Sequence, residues 1–584
     1  MMRMKTLTAA ALMTTLSVGM MGCSGSEKKE DGLISKKVVV PAYYEQIDAN
    51  TPYFFSDMMS APYDKVEYDL FGMYAPLISQ FRTSLSRGLM GMPPDAINVE
   101  EAFVLALLDE LDGNFSSTKL GNLGIDANGS FALYGVGIWP VARVALSNRK
   151  AFDDMIQRVQ DKVGTKPQMI DHKGVKLMKI SAANAPLSVV MHVTDSSFQV
   201  GLSENSFMPT FLDHFTGKVK PATSMKQKNA LLSIQKQYDL KPFMTGFVDI
   251  QALAKAVLGP ANSTDLLSAS LASVSADIQA GAPAECRAEL VAMASKMPRV
   301  ISGYKAVSKD RLVIMSGLEN TNGLSSLLAA ARTPTPLYKT PVTQSSLVWG
   351  GIGIDASKFS GDLASFFKSV VDKPFTCRDL REINQFANAS QSFNSAPEYI
   401  KAIKGLSFVL NDFSLDQANS GVDTDFGLVV RTSDPNGLFQ SLKMLMQEPA
   451  WQTVNPKADG VPVLLPKPAM MGIIGLPEMY VVMTNDALGV AFNKDMAQRT
   501  SESLKAAVAD GSPMVTATYD VNRLLRIVEE STKDMMANSP ESNEALQSMK
   551  DSYANQGPTT ITFTPNDQGF FFTGTTTFLP KAKK

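Results

Sequence analysis

The chain has few of the residues from which enzymes build reactive centres. Its 584 residues include three cysteines, three histidines and three tryptophans. The histidines, His172, His192 and His214, are scattered, and none lies near Cys286 or Cys377 in sequence. They assemble neither a persuasive Ser-His-Asp triad nor a mixed Cys/His metal site. The patterns G-x-S-x-G and H-E-x-x-H, a Walker loop and a dinucleotide fingerprint are all absent. Ser116 to Lys119 and Ser147 to Lys150 fit an S-x-x-K spacing, but no S-D-N or K-T-G element accompanies them. A surplus of charge of one sign is also lacking: the net charge is −2. Nucleic acid is thereby disfavoured as a partner, because its binding rests on clustered Lys and Arg. No cofactor is implied. Beyond the N-terminus, no charge-free apolar run approaches the span of about 18 residues that a transmembrane helix needs.

The N-terminus itself is apolar. Met1 to Lys5 carries two positive charges, and Thr6 to Met21 carries none. This is the pattern of an export signal. The end of that run, Met20-Met21-Gly22-Cys23, resembles a bacterial lipobox, with Met20 where Leu is usual. The resemblance implies that residues 1–22 are removed and that Cys23 is acylated. Ser24, in place of the Asp that often retains lipoproteins in the inner membrane, implies sorting to the periplasmic face of the outer membrane; an ordinary leader would give a soluble periplasmic protein. Residues 23–40 then read as a flexible tether.

What the chain does have is a repeated stretch. Pro242-Phe-Met-Thr-Gly-Phe-Val-Asp249-Ile-Gln-Ala-Leu253 recurs 271 residues later as Pro513-Met-Val-Thr-Ala-Thr-Tyr-Asp520-Val-Asn-Arg-Leu524. Each copy reads as a short strand, an Asp suited to N-cap a helix, and a helical pattern. Tyr53 to Asp57 and Leu347 to Asp355 repeat the strand-then-Asp order, so the offset narrows from 298 to 271 along the chain. Between these points each half carries the same succession. A hairpin at 123–146 answers one at 406–431, and helices with Phe152 and Phe439 follow. Strands then run over 174–202 and 460–490, and terminal hairpins over 300–317 and 561–578. The reading is an α+β fold: a mixed, mostly antiparallel sheet with helices packed on one face, duplicated in tandem. The first copy is expected over 41–336, ending at Pro334-Thr-Pro336, and the second over 337–584. The recurring Asp57, Asp249, Asp355 and Asp520 read as helix starts in preference to a converging carboxylate site.

Two further features carry expectations. Cys286 and Cys377 both open helical patterns, Cys-Arg-Ala-Glu and Cys-Arg-Asp-Leu. In an oxidising compartment an even pair invites a disulfide; two buried thiols are the alternative. The stretch Pro466 to Pro477 is apolar yet broken by Pro and Gly, so it suits neither a helix nor a central strand. Its Met470, Met471, Ile473, Ile474 and Leu476 read as an apolar contact loop or as a fold-back over the core.

The lipobox, the entry Asp48-Ala-Asn-Thr-Pro-Tyr-Phe-Phe55, the strand Phe131-Ala-Leu-Tyr-Gly-Val-Gly-Ile-Trp-Pro-Val141 and the paired Cys-Arg helices resemble a group of proteobacterial envelope lipoproteins of unassigned activity. The resemblance implies no catalytic residue; the leader, the duplication and the missing catalytic sets lead to the expectation of a membrane-tethered, non-enzymatic binding or assembly factor of the envelope, with an envelope protein as a partner. A carrier of lipid or another hydrophobic ligand is the alternative, and a hydrolase with an unrecognised site is a further one.

Overall fold

The computed structural model describes residues 40–58, 99–164, 166–181, 186–259, 265–272, 281–308, 310–335, 346–416, 421–447, 449–466, 478–505, 512–536, 546–547, 549–550, 553–554 and 556–579, with scattered positions in 71–86 and at 276. It is a mixed α+β protein with extensive antiparallel sheet. The chain divides into two compact units, with the break between Ser316 and Gly317. This is earlier than the expected boundary at Pro334–Pro336. The helix Leu324–Ala331 accounts for the shift, because Leu324 packs on the Leu363, Phe367 and Ala387 cluster of the second unit. Lys358 Nζ also donates to Ala330 O at 2.9 Å.

The first unit contains β1 (Tyr53–Ser56), α1 (Val99–Leu111), β2 (Phe131–Val136), β3 (Trp139–Ala145), α2 (Arg149–Val163), β4 (Gln168–His172), β5 (Val175–Ile180), β6 (Leu187–Val193) and β7 (Ser197–Glu204). There follow α3 (Met208–Phe215), α4 (Ala230–Tyr238), β8 (Thr245–Asp249), α5 (Ile250–Leu258), α6 (Ala284–Lys296), β9 (Arg299–Val307) and the start of β10 (Arg311–Glu319). The spatial order is β4-β5-β6-β7-β3-β2-β1-β8-β9-β10. The sequence reading lacks β4, whose side chains are largely exposed and carry no clean alternation. It turns into β5 at Lys173 and Gly174, with φ of 54° and 82°, a left-handed pair that joins two strands tightly.

The second unit contains α7 (Leu324–Ala331), β11 (Val348–Gly353), α8 (Ala356–Asp372), α9 (Arg381–Ser392), β12 (Ile403–Asp416), β13 (Gly421–Thr432) and α10 (Pro435–Met446). Then come β14 (Val463–Leu465), β15 (Met479–Met483), β16 (Ala487–Phe492), α11 (Lys494–Leu504), β17 (Val515–Tyr519), α12 (Val521–Met536), β18 (Gln556–Asn566) and β19 (Gly569–Phe578). Its order is β14-β15-β16-β13-β12-β11-β17-β18-β19. Every register just cited is antiparallel, in keeping with strands joined mainly by hairpins.

Helices cover both faces of each sheet, which corrects the expectation of one face. In the first unit Phe152, Met155 and Ile156 of α2 pack with Phe198 of β7 and with Val189 and Met191 of β6. The residues between these point the other way. On that side Gly201 lies under α3: a Cβ there would stand 2.5 Å from the Phe211 ring and 3.1 Å from the Phe215 ring. In the second unit Phe439 of α10 packs with Leu488 and Val481, while Ala487 and Ala491 pack with Met496 and Ala497 of α11. Gly489 is the matching close approach, its absent Cβ 2.6 Å from Thr500 Cγ2. Alternation along a strand shows that both faces are apolar. It does not say which helix covers each, so the second layer escapes a sequence reading.

Candidate functional site

The repeated aspartates come first, because they are the polar side chains that the sequence repeats in register. Asp249 ends β8 in extended conformation and its Oδ1 accepts the Ala252 N–H at 2.7 Å, capping α5. Asp355 caps α8 through the Lys358 N–H at 3.0 Å, and its other oxygen pairs with Lys404 Nζ at 2.7 Å. Burial alone would raise the Asp355 carboxyl; Lys404 and the backbone amides outweigh it and hold the group below the ordinary carboxylate range. Asp520 accepts the Arg523 N–H at 3.1 Å at the start of α12. These three serve as helix starts.

Asp57 is used differently. It is buried behind β1, and its Oδ1 accepts the Met244 N–H at 2.9 Å, fastening the loop that enters β8. The helix it is expected to start lies outside the described residues. Burial pushes its carboxyl from the ordinary 3.8 up to about 7, against a lesser opposing pull from the Met244 amide. The neighbouring hydroxyls are directed at the backbone: Ser56 Oγ and Tyr43 Oη donate to the Phe131 carbonyl at 2.7 and 3.3 Å. Burial raises the Tyr43 hydroxyl to about 12 and carries that of Tyr44 higher still. Tyr44 Oη is buried without a hydrogen-bond partner among the described residues. A serine whose hydroxyl is held by a carbonyl, beside an acid held by an amide, fastens strands together and is not arranged for nucleophilic attack.

One face of the β2-β3-β7-β6 sheet carries a polar row that the sequence reading missed. Arg143 on β3 stands opposite Gln199 on β7, and Gln199 stands opposite His192 on β6. The guanidinium sits 4.9 Å from the centre of the Tyr43 ring and donates to Gln199 Oε1 at 3.3 Å and Ser197 Oγ at 3.1 Å. Gln199 is fixed by its own bonds to Tyr134 Oη at 2.9 Å and Phe215 O at 3.1 Å. Elsewhere in this unit His172 Nε2 lies 2.8 Å from Asp213 Oδ1, and Lys173 pairs with the same carboxylate. Lys173, then His172, hold Asp213 below the ordinary carboxylate range.

Cys286 is buried on α6 and Cys377 is buried just before α9; both are disulfide-bonded. Cys23 and the apolar stretch with Met470, Met471, Ile473, Ile474 and Leu476 lie outside the described residues. What leads into that stretch is described: Trp451 Nε1 donates to Pro466 O at 2.8 Å, and Val461 and Leu464 are exposed. Among the described residues no three His, Cys, Asp or Glu side chains gather to hold a metal ion, and no helix is long and apolar enough to cross a membrane. No family model, curated protein or solved structure matches the chain.

Proposed function

We propose that this chain is a lipid-anchored, non-enzymatic envelope protein that binds or helps assemble a partner on the periplasmic face of the outer membrane. The observation that carries the reading is the use of the repeated carboxylates: Asp249, Asp355 and Asp520 each take a backbone N–H at a helix start. Residues kept in register for folding favour a scaffold over a reaction centre. The leader ending at Gly22, with Cys23 next, supports the anchor, and the resemblance to envelope lipoproteins supports the setting.

The same reading takes the body as a tandem duplication of one sheet-and-helix unit. Its support is the shared order of strands, with β14 to β16 answering β5 to β7, β11 to β13 answering β1 to β3, and β17 to β19 answering β8 to β10. It is also supported by position: Gly201 faces Val141 and Val190, just as Gly489 faces Val429 and Val482. In each case a helix packs directly on the glycine.

Cross-linking in intact cells, followed by recovery of the tagged full chain, tests the function. One defined envelope protein, cross-linked at the same site in replicate and lost on Cys23→Ala, is the expected result. A cross-linking pattern indistinguishable from that of an unrelated lipoprotein would remove the reading.

A second reading, a carrier of lipid or another hydrophobic ligand, is favoured by the exposed apolar side chains of the second unit. Met444 and Leu445 at the end of α10 are 68% and 77% exposed, and Val461 and Leu464 are 55% and 51% exposed. Native mass spectrometry of the mature protein tests it. Bound lipid in stoichiometric amount is expected on this reading, and a ligand-free mass would end it.

A further inference from the structure

The two units carry an arginine at the same step of the same strand. In the first, Val141 faces Gly201 and, two residues on, Arg143 faces Gln199. In the second, Val429 faces Gly489 and, two residues on, Arg431 faces Ala487. Both arginines share the face of the sheet on which the packed glycine lies.

Their surroundings differ in the charge beside them. Arg431 has a counter-ion: Asp486, the residue before Ala487, takes its Nη2 at 2.9 Å and its Nε at 3.3 Å. The residue before Gln199 is Phe198, which is buried in the core on the opposite face. Arg143 consequently has no ion pair among the described residues; its two hydrogen bonds go to the neutral Gln199 and Ser197. Among the described residues, the charged groups that bear on its neighbour His192 are the cations Arg143 and Arg149. Burial makes that imidazole harder to protonate, and Arg143 and Arg149 add to the effect. Thr194, whose Oγ1 is 2.9 Å from Ser197 Oγ, adds a hydroxyl. Ser197 and Gln199 are buried and fixed, whereas Arg143, His192 and Thr194 are partly exposed, so a ligand has access to an oriented cation.

A guanidinium placed over an aromatic ring and steered by neutral acceptors is preorganised for two-point contact with a planar or tetrahedral oxyanion. We propose that Arg143, with Ser197, Thr194 and His192 around it, binds the carboxylate or phosphate group of a ligand, occupying the place that the Asp486 side chain fills beside Arg431. The proposal stands on this geometry and does not depend on the lipid anchor or on the duplication.

The test follows the ring signals of His192, resolved from those of His172 and His214, in the full mature chain. The titrants are inorganic phosphate, acetate and glycerophosphoglycerol, the soluble headgroup of an anionic lipid, at constant ionic strength. Saturable movement is expected with at least one of them. Which titrant binds tightest separates a free phosphate, a carboxylate and a lipid headgroup as the source. Arg143→Gln should weaken the response about tenfold or more. Ser197→Asp, which places a carboxylate beside the guanidinium, should do the same in a folded protein. Arg431→Gln should leave the response unchanged. No saturable movement with any titrant, or an Arg143→Gln or Ser197→Asp protein that titrates like the parent, overturns the proposal.

Discussion

The ionisation of Asp57 is coupled to the fold through its burial. Its carboxyl is raised from 3.8 to about 7 by burial, so between those values the folded chain holds a proton that the unfolded chain has released. Stability is therefore present at the acid end of that window and is lost as pH rises through about 7, by roughly 2–4 kcal/mol. Asp57→Asn retains an oxygen for the Met244 amide and removes the charge. Urea unfolding across pH 4 to 8 should show a flatter stability profile for the variant and a gain at pH 8. A variant whose profile runs parallel to the parent's would show that Asp57 does not titrate in this window. The sequence reading treats Asp57 as the equal of Asp249, and only the fold separates them. One faces a helix start, whereas the other lies behind a strand where the 242–244 loop crosses it. Arg143 was illegible for a related reason. A single arginine within an apolar strand shows nothing of its partners, although its place two residues after a buried valine in both halves was a signal available to be read.

At the scale of elements, the caps and the packed glycines make the sharpest demands. Asp249→Ala and Asp520→Ala each remove an acceptor from a helix start and should cost about 1 kcal/mol, adding in the double variant. Chemical denaturation measures both, and a loss below the error of the method would mean that α5 and α12 do not rely on these caps. Gly201→Ala and Gly489→Ala should each cost about 1–3 kcal/mol, because the added methyl meets the Phe211 ring or Thr500 Cγ2 at under 3 Å. Most elements were legible from the sequence. Strand alternation located the hairpins, and helical spacing located α2, whose Phe152, Met155, Ile156 and Val159 are buried together. At the start of that helix Asn148 accepts the Ala151 N–H, while the adjacent Ser147 Oγ donates to Ile125 O. Adjacent cap-forming residues offer similar chemistry, and the chain path leading into the turn decides between them.

At the scale of the whole molecule, the covalent links define the account. Peptide mapping without reduction is expected to join the Cys286 and Cys377 peptides to each other. A bridge closing a loop of about 90 residues stabilises by about 4–5 kcal/mol in the chain-entropy model. Reduction should lower the unfolding midpoint accordingly; a map with both thiols free, or an unchanged midpoint, would contradict it. The order of elements was legible because strand alternation and helical spacing mark them one after another, whereas packing across the chain leaves no local signal. Pro334-Thr-Pro336 marks a composition change, but α7 packs with the residues that follow it, and tertiary packing sets the break at Gly317. The proposal that this body is held at a membrane by lipid rests on a different link, at the N-terminus. The intact mass and N-terminal peptide of the mature protein, extracted from membranes, test it most directly. The account predicts a chain that begins at Cys23 and carries a diacylglyceryl group, absent from the Cys23→Ala variant. A mature chain that begins elsewhere, with an unmodified amino acid and no lipid, would contradict it.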